Sequence, residues 1–203
     1  MSCSNVFYKK LKLFFIILIT FNYLIAKSTA YFSPEDKISD KLIEQINHTK
    51  KRIYAAIYIL TDKSIANALI EAKKRNIDIQ IVTDISCLQN EYNKIDLLKN
   101  NGIEIFIYKP KLKNNKFSNA IMHNKFAILD NKIWTGSFNW TVSANKKNQE
   151  NVVYIKKDLI CKKYEKEFEK LKRKCMLPSS TNEQPKNLKE KIIKLFKCIR
   201  NSF

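Results

Sequence analysis

The 203-residue chain has only two glycines, two histidines and four prolines. With so few glycines, there are few points where bare backbone is available for a close approach, and Gly102 and Gly136 stand out for that reason. Acids are scarce as well: 19 Asp and Glu stand against 38 Lys and Arg, a formal charge of +19. Such a surplus favours polyanionic partners. No Cys/His spacing suggests a zinc site. No apolar run reaches the roughly 20 residues of a membrane span; residues 13–26 make a run of 14.

That run sets the reading of the N-terminus. Lys9, Lys10 and Lys12 precede it, and Ser28, Thr29 and Ala30 follow as a small-residue cleavage site. Residues 1–30 therefore read as a signal peptide of an exported protein, periplasmic or extracellular, with an N-terminal membrane anchor as the alternative. The segment holds four lysines and no acid, so residues 31–203 keep +15 of the +19. Export permits pairing among Cys87, Cys161, Cys175 and Cys198. Cys161 and Cys175 would stand about 21 Å apart on one continuous helix and could not pair with each other.

The body of the chain alternates between helical and extended periods. Ser33 and Pro34, with Asp36 behind them, read as a helix start whose apolar face is Ile38, Leu42, Ile43 and Ile46. Residues 53–60 form an apolar run of strand length. Asp62 caps a helix through Arg75 that turns Ile65, Ala68, Leu69 and Ala72 inward. Residues 77–82 and 103–108 read as strands, with a third helix over 88–100 stopped at Gly102. A hairpin turning at Asn131 and Lys132, then a strand over 151–155, would complete the sheet. A helix over 158–175 follows, with a stripe of Leu159, Tyr164, Phe168 and Leu171. The expected fold is α/β, a mixed, mostly parallel sheet flanked by helices on both faces, in one domain over 31–177. Residues 178–187 read as a linker. Residues 188–203 read as a basic amphipathic helix that lies on an anionic membrane, docks on a partner or packs back on the domain.

Chemistry concentrates in residues 121–150. Alternation puts His123 and Lys125 on one face of an extended segment, and the returning strand brings Gly136, Ser137 and Asn139 towards them. Alone, His123 and Lys125 would read as an ordinary histidine beside a solvated lysine. With Asp130, the Gly-Ser pair, Asn139 and Glu150 in place, they read as a phosphodiester site. A neutral imidazole can attack phosphorus and form a phosphohistidine. Lys125, Ser137 and Asn139 would bind the phosphate oxygens and stabilise their charge. Glu150 would accept the other ring N–H.

These residues resemble the HxKxxxxD signature of the phospholipase D superfamily and its GSxN extension. His123, Lys125 and Asp130 match the signature, and Gly136, Ser137 and Asn139 match the extension. Glu150 falls where small members carry a glutamate paired with the nucleophilic histidine. Five residues separate Asp130 from Gly136, one fewer than the family usually has. The resemblance spans residues 33–175, with its specific motifs confined to 122–150. It implies a hydrolase that needs no metal or cofactor and uses two motifs, one histidine attacking while the other protonates the leaving group. This chain has one motif, and His48 reads as a helix-surface residue, so the resemblance implies a homodimer sharing one site. Small members include bacterial endonucleases and mitochondrial cardiolipin hydrolase, so the expected substrate is phospholipid or nucleic acid. Lys111, Lys113 and Lys116, in the basic segment 109–120, are candidate substrate contacts, with a merely solvated loop as the alternative. A reading of another class is a non-catalytic basic protein that binds membrane or nucleic acid.

Overall fold

In the computed structural model, the described residues are 27–109, 112–113, 116–117 and 120–176, together with residue 12. The expected linker, the C-terminal helix, Cys198, Lys111 and nearly all of the expected signal segment lie outside them. The elements are β1 (Lys27–Ser33), α1 (Ile38–His48), β2 (Arg52–Ile57), α2 (Lys63–Lys74), β3 (Asp78–Asp84), a 3-10 turn (Ile85–Gln89), α3 (Ile95–Asn100) and β4 (Glu104–Tyr108). A small ladder of β5 (Leu112–Lys113) and β6 (Lys116–Phe117) follows. Then come β7 (Lys125–Leu129), β8 (Lys132–Gly136), α4 (Val142–Lys146), β9 (Glu150–Lys156) and α5 (Asp158–Met176).

Seven strands form one mixed sheet in the order β1-β9-β8-β7-β2-β3-β4. Only β2-β3 and β3-β4 are parallel pairs; the other four neighbours are antiparallel. The α/β class and the mixed sheet are as expected, but the balance of directions is not mostly parallel. Helical crossovers, which parallel neighbours require, occur only between residues 52 and 108. Beyond them the chain returns by a hairpin, and β1 closes the edge against β9.

Each face of the sheet is covered. One core gathers Ile38, Leu42 and Ile46 of α1 and Ile65 and Leu69 of α2 against Ala127, Leu129 and Trp134. The other packs Cys161, Phe168 and Leu171 of α5 against Phe126, Ile128 and Ile133. Alternate residues of β7 thus serve opposite cores, as the period of two demands.

Several expected boundaries move. Residues 27–30 belong to β1, where Ala30 pairs with Val153, so the domain starts before Tyr31. Helix α1 starts at Ile38 and not at Ser33, because Ser33 ends β1 and its hydroxyl donates to the carbonyls of Ala144 and Asn148. The helix expected over 88–100 is divided between the 3-10 turn and α3. Asn90 and Asn93 divide it by accepting the backbone N–H groups of Tyr92 and Ile95, a local alternative to the helical ladder. On α5 the inward stripe is Cys161, Tyr164, Phe168, Leu171 and Cys175; Leu159 is 70% exposed. Asp62 does cap α2, accepting from the amides of Ser64 and Ile65.

Candidate active site

The sheet brings the motif together at one edge. Lys125 opens β7 opposite Ile57, the last residue of β2, and Gly136 closes β8 opposite Val152 near the start of β9. The C-terminal end of β3 lies at the same edge, since β2 and β3 are parallel. The segment after β8 is tied to the one after β2. Trp140 donates its N–H to Ile59, and its carbonyl accepts from Thr61 and Asp62 at 2.9 and 3.0 Å.

His123 and Lys125 both lie there. Lys125 Nζ donates to the His123 carbonyl at 2.7 Å. The imidazole is exposed on its outer side, and its pKa lies below the ordinary 6.5. Partial burial of the ring is the main cause, and the Lys125 charge adds to it, while Asp84 opposes both. The ring is therefore biased towards the neutral form that a nucleophile requires. Burial also lowers the Lys125 pKa, with the Glu150 carboxylate opposing.

Two residues at the centre of this cluster were not singled out from the sequence. Tyr58, just past β2, meets the imidazole edge to face, with centroids 4.6 Å apart, and carries Lys125 Nζ 5.2 Å from its ring centroid. Asp84, 1% exposed at the end of β3, accepts the Met122 N–H at 2.7 Å and the Ser86 amide and hydroxyl at 3.0 and 2.8 Å. It thereby fixes the residue before His123. Tyr58 was hidden in a run of apolar residues. Asp84 followed by Ser86 carries the weak signal of a local side-chain-to-backbone turn.

The returning strand delivers the other donors despite its short spacing. The hairpin turns at Asp130 and Asn131, one residue earlier than expected, with Leu129 opposite Lys132. A Cβ on Gly136 would lie 2.0 Å from the Asn151 carbonyl oxygen, so only glycine allows β8 and β9 to close here. Ser137 receives the Asn151 N–H on its hydroxyl at 3.0 Å and donates to Glu150 at 2.5 Å. Asn148 donates to the other Glu150 oxygen at 3.0 Å. Glu150 is thus engaged by Ser137 and Asn148 and makes no hydrogen bond to His123. The expected pairing is not formed: both carboxylate oxygens are taken by Ser137 and Asn148. Asn139 reaches the same edge, and its carboxamide oxygen is enclosed without a hydrogen-bond partner.

Asp130 is not part of this cluster. It lies five residues beyond Lys125, about 16 Å along the strand. There it adopts a left-handed turn conformation, φ 56°, and its carboxylate accepts the amides of Lys50, Lys51 and Arg52 at 3.0, 2.8 and 3.2 Å. Its role is to join the β7-β8 turn to the start of β2. Lys113 and Lys116 are paired in backbone register in the β5-β6 ladder. His48 ends α1, exposed. Cys87, Cys161 and Cys175 are free thiols. Among the described residues, no group of three or more His, Cys, Asp or Glu side chains is placed to hold a metal ion.

Comparison with known proteins agrees with this geometry. Residues 42–172 match the family described as "Cardiolipin synthase, PLD-like domain". A phospholipase D of Rickettsia bellii is 34% identical over 131 residues, 64% of this chain and 61% of that protein. A phospholipase D of Rickettsia felis is 32% identical over 142 residues, 70% of this chain and 67% of that protein. The mitochondrial cardiolipin hydrolase of Xenopus laevis is 28% identical over 137 residues, 67% of this chain and 61% of that protein. This chain therefore spans about three fifths of the length of the first and third of these relatives. Among solved structures, Nuc from Salmonella typhimurium, a phospholipase D family member, superposes with a TM-score of 0.62 at 28% identity, over 72% of this chain and 93% of its own. NucT from Helicobacter pylori shares the fold, with a TM-score of 0.67 at 24% identity, over 72% of this chain and 96% of its own. On family match, sequence and fold alike, the chain belongs to the phospholipase D superfamily.

Proposed function

We propose that this chain is a phospholipase D-type phosphodiesterase that cleaves a P–O bond through a phosphohistidine at His123. The observation that carries the reading is the meeting of His123 and Lys125 at the sheet edge, both with lowered pKa values. The neutral imidazole attacks phosphorus; an N–P bond forms and the P–O bond to the leaving group breaks. Lys125 moves from the His123 carbonyl to a non-bridging oxygen, and Ser137 and Asn139 add hydrogen bonds to the developing charge. The leaving oxygen takes its proton from a second imidazolium. Water then attacks phosphorus, the N–P bond breaks, and the water proton passes to that second imidazole.

Among the described residues, His48 is the other histidine, and it sits exposed at the end of α1, outside the cluster. The second imidazole is therefore His123 of a second copy, and the working unit is a homodimer sharing one site. Phospholipid and nucleic acid both present the diester this site handles, and relatives of both kinds support the hydrolase reading. The basic charge suits anionic lipid and nucleic-acid backbone alike. The lysine-rich N-terminus with its apolar run supports export, with membrane anchoring as the alternative.

The test uses purified protein with EDTA on bis(p-nitrophenyl) phosphate, single-stranded DNA, RNA, phosphatidylcholine and cardiolipin vesicles. Hydrolysis that disappears in His123→Ala is expected, together with a phosphate adduct on His123. No turnover of any substrate by wild type would leave a non-catalytic binding protein as the better reading. Mixing His123→Ala with wild type should lower activity below simple dilution; a linear response rules out the shared site.

A further inference from the structure

We infer that Tyr58 is the positioning residue for the reacting pair, holding the His123 ring at its working angle and the Lys125 ammonium in reserve beside it. The inference rests on His123 and Lys125 acting as proposed above. With Glu150 engaged by Ser137 and Asn148, the imidazole is not oriented by that carboxylate. What meets it is the Tyr58 ring, at an interplanar angle of 64° and 4.6 Å between centroids. Such an edge-to-face contact has a preferred geometry and resists rotation of the imidazole. The same ring attracts the Lys125 ammonium through its electron-rich face, 5.2 Å away. One aromatic side chain thus sets both the attacking group and the cation that must follow the phosphate.

The backbone that carries Tyr58 is itself pinned. The buried Thr83 hydroxyl donates to the Tyr58 carbonyl at 3.3 Å, and the Trp140 N–H donates to the Ile59 carbonyl at 3.1 Å. The ring therefore stands on a hydrogen-bonded segment where β2, β3 and the motif loop meet. The charged groups acting on the imidazole are Lys125, from β7, and Asp84, from β3; Glu150, from β9, acts on Lys125. The Tyr58 ring covers one side of the imidazole.

The test compares Tyr58→Leu with Tyr58→Phe, which keeps the ring and loses only the hydroxyl. The chain has only two histidines, so a proton NMR titration of the full chain resolves His123 against the exposed His48 as an internal reference. In Tyr58→Leu, water regains the imidazole and the His123 midpoint should rise towards 6.5, while its ring protons lose the aromatic ring-current shift. Turnover of bis(p-nitrophenyl) phosphate should fall about tenfold in kcat, with KM changed much less. Tyr58→Phe should match wild type in both measurements. An unmoved His123 midpoint in Tyr58→Leu overturns the inference, and so does a Phe variant that behaves like the Leu variant. Because the titration needs no turnover, an inactive wild type would count against the phosphodiesterase reading and still leave the ring's effect on His123 measured.

Discussion

Replacing Asp130 separates what this acid does for the fold from what the signature motif suggests it does for chemistry. Its carboxylate holds three amides, with Oδ1 serving Lys51 and Arg52 and Oδ2 serving Lys50. Hydrogen bonds to a charged group contribute about 1.5–3 kcal/mol each when enclosed; water reaches these, so about 1 kcal/mol each is the better figure. Alanine at φ 56° adds about 1 kcal/mol of backbone strain. Asp130→Ala should therefore cost about 4 kcal/mol, a fall in Tm of roughly 8–16 °C for a domain of this size. Asp130→Asn keeps one acceptor oxygen and tolerates the left-handed turn, so about 1–2 kcal/mol is expected.

The pH dependence has a definite sign. Burial raises the Asp130 pKa, but the three amides and Lys132 outweigh it, and the net value lies below 3.8. A lowered folded pKa means the contribution is present above 3.8 and is lost as pH falls through the folded value. The gap between wild type and Asp130→Ala should narrow at strongly acid pH, leaving the backbone strain, which does not titrate. Urea unfolding across pH, with diester hydrolysis measured well below both midpoints, is the assay. Activity of the folded Ala variant should stay within about threefold of wild type, since the carboxylate is about 16 Å from Lys125 along the strand. Unchanged stability, or more than a tenfold activity loss in fully folded protein, refutes the structural role.

Two further substitutions probe the site itself. Gly136→Ala puts a Cβ 2.0 Å from the Asn151 carbonyl and 2.8 Å from Val152 Cα, backbone that cannot yield without separating β8 from β9. A loss of about 3 kcal/mol in urea unfolding is expected, with activity falling as Ser137 is displaced; a variant as stable as wild type contradicts the close approach. Glu150→Gln removes the carboxylate that raises the Lys125 pKa, so the alkaline limb of the pH-rate profile should move to lower pH. If the acid limb moves instead and the alkaline limb stays, Glu150 serves His123 in the working protein.

What could be read from the sequence was the local part. Asp62 announces its helix because a cap acts within three residues. His123 and Lys125 come together because two residues of extended chain point the same way. The division of the helix expected over 88–100 was harder to see, since it depends on Asn90 and Asn93 competing for backbone amides. Strands alternating with helices suggest a mostly parallel sheet, but that pattern covers only the stretch from β2 to β4.

The candidate groups, and Gly136 as a point of bare backbone, are legible in the chain alone, because they follow from side-chain chemistry and short spacing. Which groups touch one another depends on how the strands assemble. Tyr58 and Asp84 reach His123 from 65 and 39 residues away because β2 and β3 end at the same edge where β7 begins. Glu150 is held by Ser137 and Asn148, and Asp130 is carried to the far end of β7. Strand order and register set these distances, and neither is encoded in the spacing of any single segment.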